Sequence, residues 1–260
     1  MIMKKVIYYI AGLAIISTAL FYTNSSAANK KKEKTVNSNE AAGFVVMELF
    51  TSQGCSSCPA ADEISGMYAL ENDEHIIPLA FHVDYWNRLG WIDSFSNSLY
   101  SRRQSEYAER FALESIYTPQ LIINGKKQLV GSDKNNIATI TSEFLKEKSP
   151  VIIKLTAIKT AENKVEVNYT LNKILPHSAI NAALVQRNVI TQIKAGENRG
   201  LKLNNYNVVR DFKTMQLTNA EGNFILQLPR GSSSANYQVV LFVQENSSGI
   251  IQGAVKENCK

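Results

Sequence analysis

Two cysteines separated by two residues, Cys55 and Cys58, constrain this chain more than any other feature of its sequence. They stand between an apolar segment typical of a strand, 44–50, and a segment with helical periodicity, 58–70. At a strand-to-helix junction the two sulfurs lie close enough to form a disulfide, and the N-terminus of the helix favours the thiolate of Cys55. The spacing therefore predicts either thiol–disulfide exchange or the capture of a soft metal ion.

Residues 1–28 have the pattern of a secretory signal peptide. Two lysines precede an apolar stretch, 6–20, and small residues suited to cleavage end at Ala27 and Ala28. The apolar stretch is shorter than the roughly 20 residues that span a bilayer, which favours cleavage over an N-terminal anchor. We therefore expect a periplasmic or secreted protein without membrane attachment after cleavage, in a compartment where disulfides persist.

The composition is that of a soluble globular protein, with 45% hydrophobic and 20% charged residues. Removing the two lysines of the signal peptide reduces the formal net charge from +5 to +3. Much of the rest lies in a lysine-rich part of the segment 29–42, which we expect to be a disordered linker. We expect no nucleic-acid partner, since no strong basic patch is left. The sequence also has no P-loop and no Gly-rich dinucleotide turn, and we expect no cofactor.

Residues 43–150 have the pattern of an α/β domain. The predicted elements are strands at 44–50, 75–84, 117–125 and 127–130, and helices at 58–70, 101–113 and 137–148, with Asp133 or Ser132 as the cap of the last helix. A polar and aromatic insert occupies 85–115. The order is β-α-β-α-β-β-α, in which the first two strands are parallel and joined by a right-handed crossover.

After Pro150 the pattern changes to alternating strands with turn signals between them. The predicted strands are 151–158, 165–171, 179–193, 223–228, 237–245 and 249–256. This pattern predicts a mainly antiparallel, β-sandwich-like domain over residues 151–260. The third cysteine, Cys259, lies next to the C-terminus, where we expect a mobile thiol and assign it no role.

Several motifs carry a family resemblance. They are ELFTSQGCSSCPAAD (48–62), HVDYW (82–86), LGW (89–91), YTPQ (117–120) and GSD (131–133), with weaker echoes in GENRG (196–200) and YNVVR (206–210). Together they resemble an exported bacterial family known as domain of unknown function 1223, a thioredoxin-like group. The resemblance implies a thioredoxin-like fold for residues 43–150 and an exported protein. It implies no reaction, because the family has none assigned.

The thioredoxin-like resemblance also implies roles for Thr118 and Pro119. In that fold the corresponding proline is cis and packs against the dithiol, and the residue before it offers backbone hydrogen bonds to a bound substrate strand. Thr118-Pro119 occupies the matching place before an apolar hairpin. We therefore expect a cis peptide bond at Pro119 and substrate contacts at Thr118.

The chemistry of exchange assigns a role to each sulfur. Cys55 is the candidate nucleophile and Cys58, one helical turn further in, is the candidate resolving thiol. A purely structural disulfide is less favoured, because so short a ring restricts the unfolded chain only weakly. Glu48 is the one acid in an apolar strand. Redox proteins of this fold often keep an acid beneath the dithiol, so Glu48 is either a proton carrier for Cys58 or a strand-end glutamate that faces solvent.

The end of the second strand carries His82, Tyr85 and Trp86. Ligands bind at this edge of an open α/β sheet, so Tyr85 and Trp86 are candidates for a substrate groove above Cys55. The alternative is that His82 is a hydrogen-bonded core histidine and that the aromatic residues only pack the insert. Arg102 and Arg103 are interpreted as a solvated helix face.

Three functional hypotheses follow. The first is an exported thiol–disulfide oxidoreductase that acts on a protein or small-molecule thiol or disulfide. The second is a binding protein for a thiophilic metal such as Cu(I), held by Cys55 and Cys58 with His82 as a further ligand. The third is a non-enzymatic interaction module in which the β-rich C-terminal half acts and the two cysteines are dispensable.

Overall fold

A computed structural model describes residues 42–161 and 163–259. The signal peptide predicted at 1–28 and the linker predicted at 29–42 lie outside this range, except for Ala42. The first half of the chain has the predicted β-α-β-α-β-β-α order. Its elements are β1 (Val45–Thr51), α1 (Cys58–Glu71), β2 (Ile76–His82), α2 (Ser98–Arg110), β3 (Gln120–Ile123), β4 (Lys127–Val130) and α3 (Lys134–Phe144).

The helix boundaries follow from local capping chemistry. Pro59 stands in the first turn of α1, where its missing N–H group costs no hydrogen bond. That helix ends at Asn72, whose φ of 52° is left-handed. The side chain of Asp133 accepts a hydrogen bond from the Asn136 amide at the start of α3, as predicted for a cap.

The second half is built of strands. They are β5 (Ile153–Ala161), β6 (Lys164–Leu171), β7 (Ser178–Gln192), β8 (Lys202–Gln216), β9 (Glu221–Gln227), β10 (Tyr237–Glu245) and β11 (Ile251–Asn258). Only β8 has no counterpart among the predicted strands. Its sequence, KLNNYNVVRDFKTMQ, is rich in polar residues and lacks the apolar alternation that marks a half-buried strand.

One eight-stranded sheet runs through the molecule in the order β11-β10-β7-β8-β2-β1-β3-β4. β1 and β2 are parallel, as predicted, and pair from Val45–Ile76 to Thr51–His82. β2 and β8 are also parallel and meet at Ala80–Val208. The other neighbours are antiparallel. Strands from before and after residue 150 therefore belong to one sheet.

A second sheet, in the order β5-β6-β9, packs on the C-terminal part of the large one. Val167 and Phe224 of the small sheet share a buried cluster with Leu184 and Leu241 of the large sheet. The packing gives this part of the molecule two β-layers, as the sequence pattern predicts. The larger sheet contains strands from both sides of residue 150. The domain boundary at this residue stays a prediction from the sequence.

Helices cover both faces of β1. Met47 and Leu49 pack on one side in a cluster that includes Ala61 of α1. Val46 and Phe50 share a cluster on the other side, which includes side chains of α2. This burial on two faces fixes the end of β1, and with it the loop that leads into α1.

Cys259 is buried, with 6% of its surface exposed, and its amide donates a hydrogen bond to the Tyr237 carbonyl. The expectation of a mobile terminal thiol is therefore wrong. Burial also raises the pKa of the Cys259 thiol to about 11, which keeps it protonated at neutral pH. Within the described ranges, no helix combines the length and the apolar character needed to cross a bilayer.

Candidate functional site

Cys55 and Cys58 form a disulfide, with their Cα atoms 5.4 Å apart. Cys55 lies in the loop after β1, and Cys58 is the first residue of α1. Both cysteines are fully buried, whereas the intervening Ser56 and Ser57 are exposed. The disulfide is thus covered in this state and is bordered by an exposed Ser-Ser segment.

Ser57 contacts the first sulfur directly. Its Oγ lies 3.3 Å from Cys55 Sγ. A disulfide sulfur carries no proton, so the hydroxyl is the donor in this contact. The same hydroxyl can donate to a thiolate when the disulfide is reduced, and a hydrogen bond to the charged form stabilises it.

Thr118 and Pro119 lie beside the dithiol, and their peptide bond is cis, as predicted. The Thr118 carbonyl oxygen is 3.9 Å from Cys55 Sγ. Trp86 Nε1 donates a hydrogen bond of 2.8 Å to Thr118 Oγ1 and so ties the aromatic insert to this loop. The predicted residues Cys55, Cys58, Thr118, Pro119 and Trp86 therefore come together in one place.

Tyr85 lies next to α2, and its hydroxyl is also near Thr118. Its hydroxyl donates to Gln104 Oε1 at 3.2 Å. Burial raises the pKa of the Tyr85 hydroxyl, so this group stays protonated and acts as a hydrogen-bond donor. Its position next to Trp86 in the insert is compatible with either contact to a substrate or packing.

The tip of the β7–β8 hairpin reaches the dithiol loop from the C-terminal half. Asn198 is buried, and its Nδ2 donates to the carbonyl oxygens of Gln53 and Cys55, each at 2.9 Å. The neighbouring Glu197 accepts a hydrogen bond of 3.1 Å from the Ser56 amide through Oε2. No chemical role was predicted for these two residues. The only sequence feature that pointed to them was the weak resemblance of residues 196–200 to the family.

Gln53 connects the hairpin to the insert. Its Nε2 donates to Thr191 Oγ1 at 2.9 Å, and its Oε1 accepts from Trp91 Nε1 at 3.1 Å. The Gln53 amide donates to Asp93 Oδ2 at 2.9 Å. Side chains from both halves of the chain therefore fix the loop that precedes Cys55.

His82 is a hydrogen-bonded core histidine, which was the alternative to its role as a ligand. Its Nδ1 lies 2.7 Å from Asp93 Oδ2, and both side chains are 1% exposed. Burial alone would lower the pKa of His82, but the Asp93 carboxylate raises that pKa above its ordinary value. Burial would raise the pKa of Asp93, but His82 and the Gln53 and Phe95 amides hold it below its ordinary value. The Asp93 carboxylate therefore favours the protonated form of His82 over the neutral form.

Asp62 is an acid near the dithiol that the sequence analysis did not single out. It lies on α1 four residues after Cys58, one helical turn further along. Burial raises the pKa of the Asp62 carboxyl to about 6, although the nearby charge of His82 opposes the shift. A carboxyl group that titrates near neutral pH is suited to exchanging protons with a thiol. The sequence feature that points to Asp62 is its spacing of four residues from Cys58.

Glu48 is fully buried, which rules out the solvent-facing alternative. Its carboxylate pairs with Arg103, at 2.5 Å to Nε and 3.0 Å to Nη2, and accepts from the Tyr107 hydroxyl at 2.5 Å. These partners all belong to α2, on the face of the sheet away from α1. The geometry therefore gives no support to Glu48 as the proton carrier for Cys58.

Arg103 is correspondingly not part of a solvated helix face. Its guanidinium is buried and lies 5.0 Å from the ring centroid of Phe212. Arg102, its neighbour, is exposed as predicted. The prediction of a solvated Arg103 is wrong because its partner, Glu48, is 55 positions away along the chain and local sequence patterns do not reveal it.

The alternative metal site, made of Cys55, Cys58 and His82, is not assembled. Asp93 engages His82 Nδ1. Among residues 42–161 and 163–259, no three His, Cys, Asp or Glu side chains are grouped closely enough to hold a metal ion. Of the three cysteines, Cys55 and Cys58 are joined in the disulfide, and Cys259 is buried in the cluster between the two β-layers.

Comparison with solved structures finds similar chains. A protein from Agrobacterium tumefaciens, determined by X-ray crystallography, is 28% identical, with a TM-score of 0.66, and the match covers 85% of this chain and 96% of that chain. A domain of the outer membrane lipoprotein Omp28 from Porphyromonas gingivalis is 14% identical. That match covers 43% of this chain and 89% of that one, and its TM-score of 0.27 is too low to support an argument.

Comparison with curated proteins finds no match. A family model described as "Protein of unknown function (DUF1223)" matches residues 46–244, which include the dithiol, the aromatic insert and the β7–β8 hairpin. The match spans well over half of the chain, as the sequence motifs predict. The chain belongs to the DUF1223 family of proteins of unknown function.

Proposed function

We propose that this protein is an exported thiol–disulfide oxidoreductase that uses Cys55 and Cys58. The observation that carries the proposal is the Cys55–Cys58 disulfide at the start of α1, with the cis Thr118–Pro119 peptide beside it. A thioredoxin-like arrangement of residues 43–150 is part of the proposal. The order of elements from β1 to α3 and the parallel pairing of β1 with β2 support it.

The reaction proceeds by two thiol–disulfide exchanges. The Cys55 thiolate of the reduced protein attacks one sulfur of a substrate disulfide, which forms a mixed disulfide and releases the other substrate sulfur as a thiolate. Cys58, once deprotonated, attacks Cys55 Sγ and releases the second substrate sulfur. The substrate disulfide gains two electrons and two protons, and the protein is left with its own disulfide. A dithiol donor must then reduce the protein again.

Named side chains assist both steps. Ser57 donates a hydrogen bond to the Cys55 thiolate, from the position where it contacts Sγ in the disulfide. Asp62 accepts the proton of Cys58 and returns it, since burial raises the pKa of the Asp62 carboxyl to about 6. Thr118 aligns the substrate, and Trp86 holds Thr118 in place. The substrate is a protein or a small-molecule disulfide.

Export belongs to the same proposal. A signal peptide at 1–28 sends the chain to the periplasm or outside the cell, where its substrates carry disulfides. In that compartment a dithiol must be kept reduced by a partner if it acts as a reductant. The buried third thiol, Cys259, takes no part in the exchange.

The test is the reaction of the reduced protein with oxidised glutathione. We expect two molecules of glutathione thiol to be released per protein while the Cys55–Cys58 disulfide forms again. Cys55→Ser should abolish the reaction, and Cys259→Ser should leave its rate unchanged. An absence of exchange in the natural sequence, or full exchange in Cys55→Ser, would overturn the proposal.

A further inference from the structure

We propose that the Glu197 carboxylate, which accepts a hydrogen bond from the Ser56 amide, shifts the dithiol–disulfide equilibrium of Cys55 and Cys58 toward the disulfide. The proposal rests on the thiol–disulfide function proposed above. Its starting point is the hydrogen bond of 3.1 Å from the Ser56 amide to Glu197 Oε2. Ser56 directly follows Cys55, so a carboxylate from the far half of the chain is bound between the two cysteines.

The fold imposes this position on Glu197. Asn198, the next residue, is buried and bound to the Gln53 and Cys55 carbonyls. The loop also closes on itself, since the Gly200 amide donates to the Ile193 carbonyl at 2.9 Å. Gly196 has a φ of 75°, and a Cβ there would lie 3.0 Å from Trp91 Cβ, so this turn requires glycine. Glu197 is therefore carried on an anchored turn.

The contact changes the stability of the Cys55 thiolate. Amides at the start of a helix stabilise a neighbouring anion. Glu197 occupies the Ser56 amide and adds a like charge close to the sulfur, and both effects disfavour the thiolate. The disulfide carries no charge and is not disfavoured in this way. The equilibrium therefore shifts toward the disulfide, and the reduced protein gives up its electrons more readily.

Other charged groups near the dithiol also contribute to the electrostatic potential at the Cys55 sulfur. Asp62 and Glu63 lie on α1, His82 ends β2, and Asp93 belongs to the insert. Asp93 and His82 are paired with each other. Glu197 differs from these groups because its carboxylate accepts a hydrogen bond from an amide of the Cys-Ser-Ser-Cys loop itself. Since Glu197 is exposed, salt should weaken its influence.

The test measures the dithiol–disulfide equilibrium of the full chain in glutathione buffers, with the thiolate absorbance as a second readout. Glu197→Gln keeps the shape of the side chain and removes the charge. We expect the equilibrium constant for reduction to rise about two- to fivefold, which is about 10–20 mV. The thiolate fraction at a fixed pH should rise as well, and Glu197→Lys should go further in the same direction.

Glu63→Gln is the matched control, since it removes the same charge from an exposed position on α1. It should change the equilibrium less than twofold. An unchanged or lowered equilibrium constant in Glu197→Gln, or an equal rise in Glu63→Gln, would overturn the tuning proposal. If the natural sequence does not exchange with glutathione, the proposed function fails and the tuning proposal fails with it. If it exchanges and Glu197→Gln behaves identically, only the tuning proposal fails.

Discussion

Asn198 donates a hydrogen bond of 2.9 Å to the carbonyl oxygen of Cys55, from a hairpin 143 positions further along the chain. The C-terminal half is therefore part of the dithiol site through this contact and through Glu197. This arrangement counts against an interaction module that works independently of the cysteines. It also gives the long β7–β8 hairpin a function, which is to hold the loop that carries Cys55.

Asn198→Ala should destabilise this loop. The substitution leaves the Gln53 and Cys55 carbonyls without their buried donor, which costs about 1–3 kcal/mol. Urea unfolding with the disulfide intact measures the loss. Asn236→Ala is the control, because Asn236 also donates to a backbone carbonyl of the hairpin, that of Asn188, but in an exposed position. The control should lose less than about 0.5 kcal/mol. Equal losses would contradict the anchoring role of Asn198.

Trp86→Phe should slow exchange with a peptide disulfide. The variant keeps an aromatic ring but loses the hydrogen bond from Nε1 to Thr118 Oγ1. A neutral hydrogen bond contributes about 1 kcal/mol, so kcat/KM should fall about fivefold. Reduction of the protein by dithiothreitol, which needs no alignment by Thr118, should change less than twofold. A uniform loss with both reagents would indicate a general disturbance of the site.

Asp62→Asn should remove a pH dependence of stability. The pKa of Asp62 is about 6 in the folded protein and 3.8 in the reference state, so the folded chain binds this proton more tightly. Stability therefore falls as pH rises from about 4 to about 6 and stays reduced above that range. The variant should be more stable above pH 6, on the order of 2 kcal/mol after a discount for partial exposure.

The measurement for Asp62 is urea unfolding at pH 4 and at pH 7. Glu71→Gln is the control, since it removes a carboxylate from an exposed position at the other end of α1, away from Asp62. Resolution of a mixed disulfide by Cys58 should also slow in Asp62→Asn, because the proton of Cys58 loses its acceptor. An identical pH dependence of stability in Asp62→Asn and the natural sequence would contradict a raised pKa of Asp62 in the folded protein.

Arg103→Met should destabilise the protein without changing the dithiol equilibrium. It leaves the buried Glu48 carboxylate without its cationic partner, which costs about 3–5 kcal/mol. Arg102→Met, at the exposed neighbouring position, should stay within about 0.5 kcal/mol. The equilibrium constant for reduction should change less than twofold in both variants. A large change in that constant for Arg103→Met would indicate that Glu48 and its partner do act on the dithiol.

The sequence predicted the parts of the site that depend on local patterns. The apolar segment before Cys55 and the helical periodicity after Cys58 gave the strand-to-helix junction. The Asn124-Gly125 pair is a local signal of the hairpin turn, because both residues adopt the positive φ that a tight turn requires. The cis peptide at Pro119 followed from family resemblance and not from any local pattern.

The parts that sequence did not predict depend on distant partners. β8 was missed because its polar side chains, such as Asn205 and Asn207, bond to distant residues instead of alternating with apolar ones. Arg103 was misplaced because charged residues on a helix are usually solvated, and only the fold brings Glu48 to it. Glu197 and Asn198 reach the dithiol across more than 140 positions, a distance at which periodicity carries no information.

The most direct test of the account is the capture of a mixed disulfide by Cys58→Ser. The reduced variant is mixed with a peptide disulfide, and the product is analysed by mass spectrometry after digestion. We predict one peptide adduct per protein, located on Cys55, and no stable adduct in the natural sequence because Cys58 resolves it. No adduct in Cys58→Ser, or an adduct located on Cys259, would contradict the claim that Cys55 is the nucleophile of a thiol–disulfide oxidoreductase.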